Sequence, residues 1–221
     1  MSVLNRGRLI VLVGMDGSGK TTILQQLGNQ GLCVSSWKAL NAVPMPNGKG
    51  ASDEPTIRYI RGLPYGNYVN HLQPFSRAAF VLSLAFAEYE YLIRPSLDRG
   101  TIVTSDSYYI RPLAKELARG KSPASVVHAL RNLPDPELVI FLEVSPQVAF
   151  DRKRGIVSEH EVMKEETFSD FVLFQREVDQ LCKGLTSGMR TVTIDADRSA
   201  CVVATEVRQI VEAECGRANA W

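Results

Sequence analysis

The sequence predicts an α/β fold in which a five-stranded parallel sheet lies between two layers of helices. Apolar runs rich in β-forming residues alternate with longer helical patterns, which is the order expected of β-α-β units. The run Leu138–Leu142 is apolar throughout, as expected of a strand covered on both faces. A glycine-rich loop joins the first apolar run to a helical pattern. These observations predict strands at 9–14, 32–37, 101–105, 138–144 and 190–195.

The first strand leads into a loop whose residues fit a phosphate-binding pattern. The loop matches G-x-x-x-x-G-K-[ST], and its backbone N–H groups can converge on an anion at the start of a helix. In such a loop Lys20 would reach the β- and γ-phosphates of a nucleotide, and the Thr21 hydroxyl would bind Mg²⁺. A glycine-rich turn that binds nothing is the alternative. The predicted nucleotide-binding residues are Gly14, Asp16, Gly17, Ser18, Gly19, Lys20, Thr21 and Thr22.

Three later segments have helical patterns of different kinds. The stretch 75–94 is apolar almost all round, which predicts a buried helix, and Pro95 then predicts a change of direction. The stretch 159–183 predicts an amphipathic helix, and a final helix is expected over about 199–214. The segment 41–56 is rich in Pro, Gly and Asn, so it predicts a long loop.

Length and composition fit a single domain spanning residues 1–221. The chain is 45% hydrophobic and 22% charged, as is ordinary for a globular protein. Its net charge of +1 gives no field that would attract nucleic acid or a membrane surface. No apolar run reaches the length of a membrane span, and the apolar stretch near the start is too short for a signal peptide. The four cysteines form no C-x-x-C pair, so we expect reduced thiols and a cytoplasmic location.

Beyond the glycine loop, a series of segments resembles the thymidylate kinases, a family within the P-loop nucleoside and nucleotide kinases. The loop has Asp16 between its first two glycines, as in the family form G-x-D-G-x-G-K-[ST]-T. Further segments resemble the family's I-x-P-A-L-x-x-G, D-R-Y, P-D-x-x-x-x-L-x-V-x-P, lid and I-D-A motifs: Ile93–Gly100, Thr101–Tyr108, Pro134–Pro146, Asp151–Gly155 and Ile194–Ala196. Together these segments cover nearly the whole chain in order.

The resemblance implies a P-loop NTPase fold and ATP-dependent phosphoryl transfer to a small-molecule acceptor, with Mg²⁺ as cofactor. It implies a short lid at about 150–162, in which Arg152 or Arg154 closes over the γ-phosphate. Asp106 would end the third strand beside the glycine loop, where it would hold the metal or accept a proton. An ordinary strand-end cap is the alternative for Asp106. The resemblance also implies a homodimer.

The resemblance places several residues on the acceptor side of the site. Asp16 would lie near the acceptor sugar or phosphate, unless it only hydrogen-bonds within its own loop. Phe75 and Tyr109 are candidates to stack on or frame an aromatic acceptor, although an aromatic residue at helical spacing is more often part of the core. Arg77 is a candidate to bind the acceptor.

Two departures from the family pattern concern the acceptor. Ser107 stands where the family has the arginine of D-R-Y, and the helical stretch Leu84–Ala87 has no arginine. Each lost arginine forfeits charge-assisted hydrogen bonds of roughly 1.5–3 kcal/mol to a phosphate dianion. Either Arg77, Arg61 or Arg111 replaces them, or the acceptor is not thymidylate.

Three interpretations therefore remain open from the sequence. The main one is ATP-dependent transfer to a nucleoside monophosphate similar to thymidylate. The second is a nucleoside or other small-molecule kinase whose acceptor carries no phosphate, which would explain Ser107. The third is a nucleotide-binding module without transfer activity, against which Lys20, Thr21 and Asp106 argue because all three are present.

Overall fold

The structure is a computed structural model that describes residues 6–35, 72–120, 124–130, 132–157, 161–163 and 166–218. The predicted loop at 41–56 and the candidate Arg61 lie outside the described residues, as does part of the expected lid. None of the helices in the described ranges is long and apolar enough to cross a membrane.

The sheet confirms the predicted five parallel strands. Its strands are β1 (Leu9–Val13), β2 (Cys33–Ser35), β3 (Val103–Asp106), β4 (Leu138–Glu143) and β5 (Thr191–Asp195). They lie in the order β2-β3-β1-β4-β5, and every neighbouring pair is parallel. Because β1 lies between β3 and β4, the loop after β1 is flanked by the segments that follow those two strands. This order positions the site.

Helices cover both faces of the sheet, which confirms the predicted three-layer arrangement. The helices are α1 (Lys20–Asn29), α2 (Pro74–Glu88), α3 (Arg94–Asp98), α4 (Ile110–Ala118), α5 (Ala124–Leu130), α6 (Pro146–Arg152), α7 (Phe168–Leu185) and α8 (Ala200–Ala218). Alternate residues of β1 point to opposite faces, as the pleat requires. Leu9 and Val11 pack in a core with α4 and α7, whereas Ile10 and Leu12 pack in a second core with α1 and α8.

The predicted buried helix at 75–94 differs from the observed structure in two ways. Helix α2 passes at Tyr89–Ile93 into a π-helical turn and then into α3, so Pro95 lies inside helical structure and does not end it. Pro95 lies in the first turn of α3, where a missing N–H costs little. The helix is also not buried all round, because Phe75 is 59% exposed.

The amphipathic helix expected from residue 159 begins later. Helix α7 starts at Phe168, after Thr167, whose side chain accepts a hydrogen bond from the Asp170 N–H at 3.3 Å. A threonine that accepts from the third residue beyond it is a typical helix N-cap. The apolar spacing upstream of Thr167 therefore does not belong to the helix.

Candidate active site

The glycine loop lies at the carboxyl end of β1, the central strand, and leads into α1. Gly17 and Gly19 have φ values of 92° and 93°, in the left-handed region that favours glycine. A Cβ on Gly17 would lie 2.4 Å from the Ala149 carbonyl oxygen, so this position admits no side chain. A Cβ on Gly19 would meet nothing within 4 Å and would extend into the open cradle of the loop. The loop is therefore packed closely against Ala149 at Gly17, whereas its backbone at Gly19 faces open space.

Lys20 is buried inside this loop. Its Nζ donates hydrogen bonds to the carbonyl oxygens of Gly14 at 2.7 Å and Met15 at 3.0 Å. Burial, followed by the charge of Arg111, lowers the pKa of Lys20 to about 8, although Asp106 and Asp16 oppose the shift. An anion in the cradle would stabilise the charged amine, which is the role expected of this lysine.

Thr21 and Asp106 meet at the edge of the same loop, as the sequence predicts. Asp106 is the last residue of β3, in register with Leu12 of β1. The Thr21 hydroxyl donates to Asp106 Oδ2 at 3.3 Å, and the Ser107 hydroxyl donates to Asp106 Oδ1 at 2.8 Å. A hydroxyl and a carboxylate oxygen fit Mg²⁺, which prefers oxygen ligands and keeps several waters and substrate phosphates. Among the described residues, no group of three or more His, Cys, Asp or Glu side chains is arranged to hold a metal ion.

The turn after Asp106 has an uncommon backbone conformation. Ser107 and Tyr108 have φ values of 66° and 45°, a region in which residues other than glycine cost about 1 kcal/mol or more each. The Ser107 N–H donates to the Leu12 carbonyl oxygen at 2.9 Å, which holds the turn against β1. Strain held in this way is common at functional sites. Here the turn places the Ser107 hydroxyl against Asp106 Oδ1, opposite the oxygen that contacts Thr21.

A buried carboxyl group, that of Glu88, lies next to the carboxyl ends of β2 and β3. Glu88 of α2 is 1% exposed, and its Oε1 accepts hydrogen bonds from Ser105 at 2.7 Å and Ser35 at 3.0 Å. Burial raises the pKa of Glu88 to about 7, although the two serine hydroxyls oppose the rise. Since Ser35 and Ser105 are paired in register, Glu88 joins the ends of β2 and β3 just before Asp106.

The glycine loop opens into a cavity of about 830 Å³. Eight lysine or arginine side chains line it against four aspartates or glutamates, an excess of four positive charges in a chain whose net charge is only +1. We call its two walls the β3 side and the β4 side. The β3 side comprises Arg77, Ser107, Arg111, Lys115, Glu116 and Arg119, and the β4 side comprises Arg152, Lys153, Glu161, Ala196, Arg198 and Val203.

On the β3 side, Asp16 holds two cations of α4. Its Oδ2 lies 2.7 Å from Lys115 Nζ, and its Oδ1 lies 3.4 Å from Arg111 Nε. Burial raises the pKa of Asp16, but Lys115, Arg111 and Lys20 lower it more, so it lies well below its ordinary value. Gln175 of α7 donates to Asp16 Oδ2 at 3.2 Å and accepts from the Asp16 N–H at 3.0 Å. Asp16 is therefore ionised and held from three directions.

A second carboxylate on this side also holds two cations. Arg77 donates through Nε to Glu116 Oε1 at 2.9 Å, and Arg119 Nη1 lies 3.9 Å from the same oxygen. The predicted candidate Arg77 thus borders the cavity in an ion pair with α4. Its side chain is 11% exposed, so Arg77 is not an ordinary surface charge.

On the β4 side, the two predicted lid arginines differ in position. Arg152 lines the cavity, and its Nη2 donates to the Arg198 carbonyl oxygen at 2.9 Å. Arg154 is exposed, has a left-handed φ of 57° and is not among the residues that line the cavity. Lys153 pairs with Glu161 at 2.8 Å across the segment between them.

Two predicted acceptor residues are not brought to the cavity. Phe75 lies exposed at the start of α2 and is not a lining residue. Tyr109 is buried, its hydroxyl donates to Asp135 Oδ1 at 3.1 Å, and its ring lies 4.9 Å from that of Tyr108. The alternative role in core packing fits Tyr109 in this structure. Among the predicted nucleotide-binding residues, Gly14 contributes a carbonyl oxygen to Lys20 without lining the cavity.

Two of the three cations on one face of α4 and its C-cap were not predicted from the sequence. Arg111, Lys115 and Arg119 are spaced by four residues, so they share one face of the helix that follows Asp106. A basic stripe on the helix directly after a candidate catalytic aspartate was a signal present in the sequence. Only Arg111 was considered, and only as one of three substitutes.

Comparison with known proteins identifies relatives along most of the chain. The thymidylate kinase of Schizosaccharomyces pombe is 28% identical over 214 residues, which are 96% of this chain and 94% of the relative. A probable thymidylate kinase of Pyrococcus abyssi is 30% identical over 72% of this chain and 77% of its own length. The thymidylate kinase of Akkermansia muciniphila is 32% identical over 66% of this chain and 67% of the relative. No family model matches the chain.

These relatives and the site lead to the same family. The glycine loop, the strand-end Asp106 and the parallel sheet agree with the resemblance found in the sequence motifs. Two of the relatives are at least 30% identical over two thirds or more of their length. The chain therefore belongs to the thymidylate kinase family.

Proposed function

We propose that this protein transfers the γ-phosphoryl group of ATP to thymidylate, with Mg²⁺ as its cofactor. The observation that carries the proposal is the contact of the Thr21 hydroxyl with Asp106 Oδ2 at 3.3 Å. This contact lies in the same basic cavity as Lys20. The relatives named thymidylate kinase support thymidylate as the acceptor. The excess of positive charge in the cavity supports a reaction between two phosphorylated molecules.

In this proposal each residue contributes position or charge. Lys20 would exchange the loop carbonyl oxygens for the β- and γ-phosphates, since an ammonium group binds phosphate more strongly than a neutral carbonyl. Thr21 and Asp106 would hold Mg²⁺, which neutralises charge on the phosphates when it is bound. Arg152 would add a cation from the β4 side as charge moves.

We further infer one domain over residues 1–221 with a lid at about 150–162. The position of Arg152 on the cavity and the Lys153–Glu161 ion pair support the lid. Saturating ATP should then protect the peptide bonds after Arg152 and Arg154 from trypsin. Formation of a homodimer stays a prediction, which sedimentation equilibrium would test.

The nucleoside kinase and the inactive module are the competing outcomes. The neutral Ser107 is the one feature that favours an acceptor without phosphate, and the relatives do not favour this alternative. The test supplies ATP and Mg²⁺ with thymidylate, other nucleoside monophosphates and the nucleosides, and measures ADP release. We expect thymidylate to be the best acceptor. Faster turnover of thymidine, or ATP binding without transfer to any acceptor, would overturn the proposal.

A further inference from the structure

The β3 side of the cavity carries a preformed pair of cations. Lys115 and Arg111 lie one helical turn apart on α4 and both line the cavity, as does Ser107, at which the family arginine is missing. The Lys115 side chain is 19% exposed and the Arg111 side chain 3% exposed. The pair thus presents one accessible cation backed by a buried one.

Arg111 is fixed in place by groups other than a ligand. Its Nη1 donates to Asp179 Oδ1 at 3.0 Å, and its Nη2 donates to Gln175 Oε1. Its buried Nε makes no hydrogen bond with the described residues, although Asp16 Oδ1 lies within 3.4 Å. A buried N–H without a hydrogen bond costs roughly 1–3 kcal/mol, more when it is charged. This Nε is held only by the ion pair with Asp16 Oδ1, so an acceptor anion that reaches the same side of the guanidinium could bind it.

Of the carboxylates that contact this pair, Asp16 lines the cavity and Asp179 does not. Asp16 is the carboxylate that faces both cations, and Asp179 contacts Arg111 from behind. Burial lowers the pKa of Lys115, Asp16 raises it, and Arg111 lowers it, with a net decrease. An anion entering beside Asp16 would therefore gain two cations that are already held in position.

The sheet order assigns this pair to one of the two substrates. Residues after β3 and residues after β4 and β5 flank the glycine loop from opposite sides. The β4 side carries Arg152, which in the proposed function serves the transferred group. The β3 side, next to Asp106, is then left for the acceptor.

We propose that Lys115, held beside Arg111 by Asp16, binds the phosphate of the acceptor nucleotide. Lys115 supplies the mobile contact, and Arg111 is a positioning residue that adds charge through Nε. The pair, four and eight residues further along the chain, compensates for the neutral Ser107. The inference rests on the proposed function only in that the acceptor carries a phosphate.

The test measures the binding of thymidylate, thymidine and ATP to the full chain by calorimetry. In the Lys115→Gln variant we expect thymidylate to bind roughly 10- to 100-fold more weakly, the usual effect of losing a charge-assisted hydrogen bond. Thymidine and ATP should bind as they do to the unmodified protein. Lys115→Arg should retain most of the thymidylate affinity, which also shows that the position tolerates substitution. The matched control is Lys183→Gln. Lys183 does not line the cavity, and its Nζ lies 2.9 Å from Glu143 Oε1 in an ion pair.

The outcomes separate this inference from the proposed function. If thymidylate affinity is unchanged in Lys115→Gln, or falls equally with that of thymidine or ATP, the inference is wrong even where the unmodified enzyme transfers phosphate to thymidylate. If the unmodified protein transfers no phosphate to any acceptor, but Lys115→Gln selectively weakens thymidylate binding, the inference holds and the proposed function fails. If the unmodified protein does not bind thymidylate more tightly than thymidine, both fail.

Discussion

The glycine loop and the β3 side of the cavity differ in how their chemistry is built. The loop works through the backbone and through Lys20 and Thr21, neighbours in sequence, joined by Asp106 from the adjacent strand. The β3 side is assembled from side chains of a loop, two helices and the turn after β3, held by the ion pairs of Asp16 and Glu116. A site built from neighbouring residues, such as the glycine loop, can be recognised from a sequence pattern. A surface assembled from distant segments can exchange one cation for another at a different position.

The largest effect on activity is expected from the removal of the loop lysine, Lys20. Lys20→Ala should lower kcat by roughly 10³-fold, because positioned cations carry much of the stabilisation in phosphoryl transfer. Steady-state assays with ATP and thymidylate measure the loss, and circular dichroism checks the fold. Lys183→Ala, at an exposed ion pair, is the matched control and should leave kcat unchanged. Near-normal turnover by Lys20→Ala would refute the assignment of the loop.

The second prediction concerns Glu88, which joins β2 and β3 beneath the β3 side. Its pKa is raised to about 7, from an ordinary value of 4.5, so the folded state binds the proton more tightly than the unfolded state. Its stabilising contribution is therefore complete below about pH 4.5 and is lost as pH rises through 7. Glu88→Gln, which cannot ionise, should gain stability over the unmodified protein by up to about 3 kcal/mol between pH 5 and pH 8.

Urea denaturation at several pH values measures the effect at Glu88. Glu212→Gln, at a half-exposed ion pair on α8, is the control and should show no such trend. A difference between Glu88→Gln and the unmodified protein that stays constant with pH would contradict the raised pKa.

The third prediction compares the two arginines of the expected lid. Arg152 lines the cavity and Arg154 does not, so the two variants form a matched pair. Arg152→Ala should lower kcat roughly tenfold or more, because it removes a cation close to the transferred group. Arg154→Ala should change kcat by no more than about twofold, as is usual for an exposed side chain away from the site. Equal effects of the two substitutions would show that the β4 side is assigned incorrectly.

The smallest expected effect tests whether the β3 side can accept the missing arginine. In the Lys115→Gln background, Ser107→Arg should recover roughly fivefold in thymidylate affinity, since an arginine at 107 restores a charged donor. The gain is limited because Ser107 has a φ of 66° and its hydroxyl bonds to Asp106 Oδ1. Binding of thymidylate and thymidine is measured side by side. No recovery would argue that the acceptor phosphate lies away from both positions.

Sequence reasoning predicted the parts of this molecule that depend on local pattern. The five strands agree within one or two residues, most directly β1 and β4, which are continuous apolar runs buried between the helices. The family resemblance implied that Asp106 lies beside the glycine loop, and in the structure its Oδ2 accepts a hydrogen bond from the Thr21 hydroxyl at 3.3 Å. The start of α7 was misplaced because apolar spacing outweighed the cap formed by Thr167. Pro95 was overvalued as a helix terminator.

The acceptor residues were less predictable because their roles depend on tertiary contacts. Nothing in the local sequence shows that the Tyr109 hydroxyl bonds to Asp135 or that Phe75 is exposed. The relation of Lys115 to Asp16, 99 positions earlier in the chain, likewise appears only in the folded structure. The basic stripe of α4 could have been found from its spacing, but not the carboxylates that it faces.

One measurement tests the central claim most directly, which is that the β3 side serves an acceptor that carries a phosphate. The measurement is the ratio of kcat/KM for thymidylate to kcat/KM for thymidine, with ATP and Mg²⁺ saturating. The proposed site predicts a ratio of roughly 100 or more, from at least two charge-assisted hydrogen bonds to the acceptor phosphate. A ratio of about one or less, with measurable turnover of thymidine, would contradict the claim.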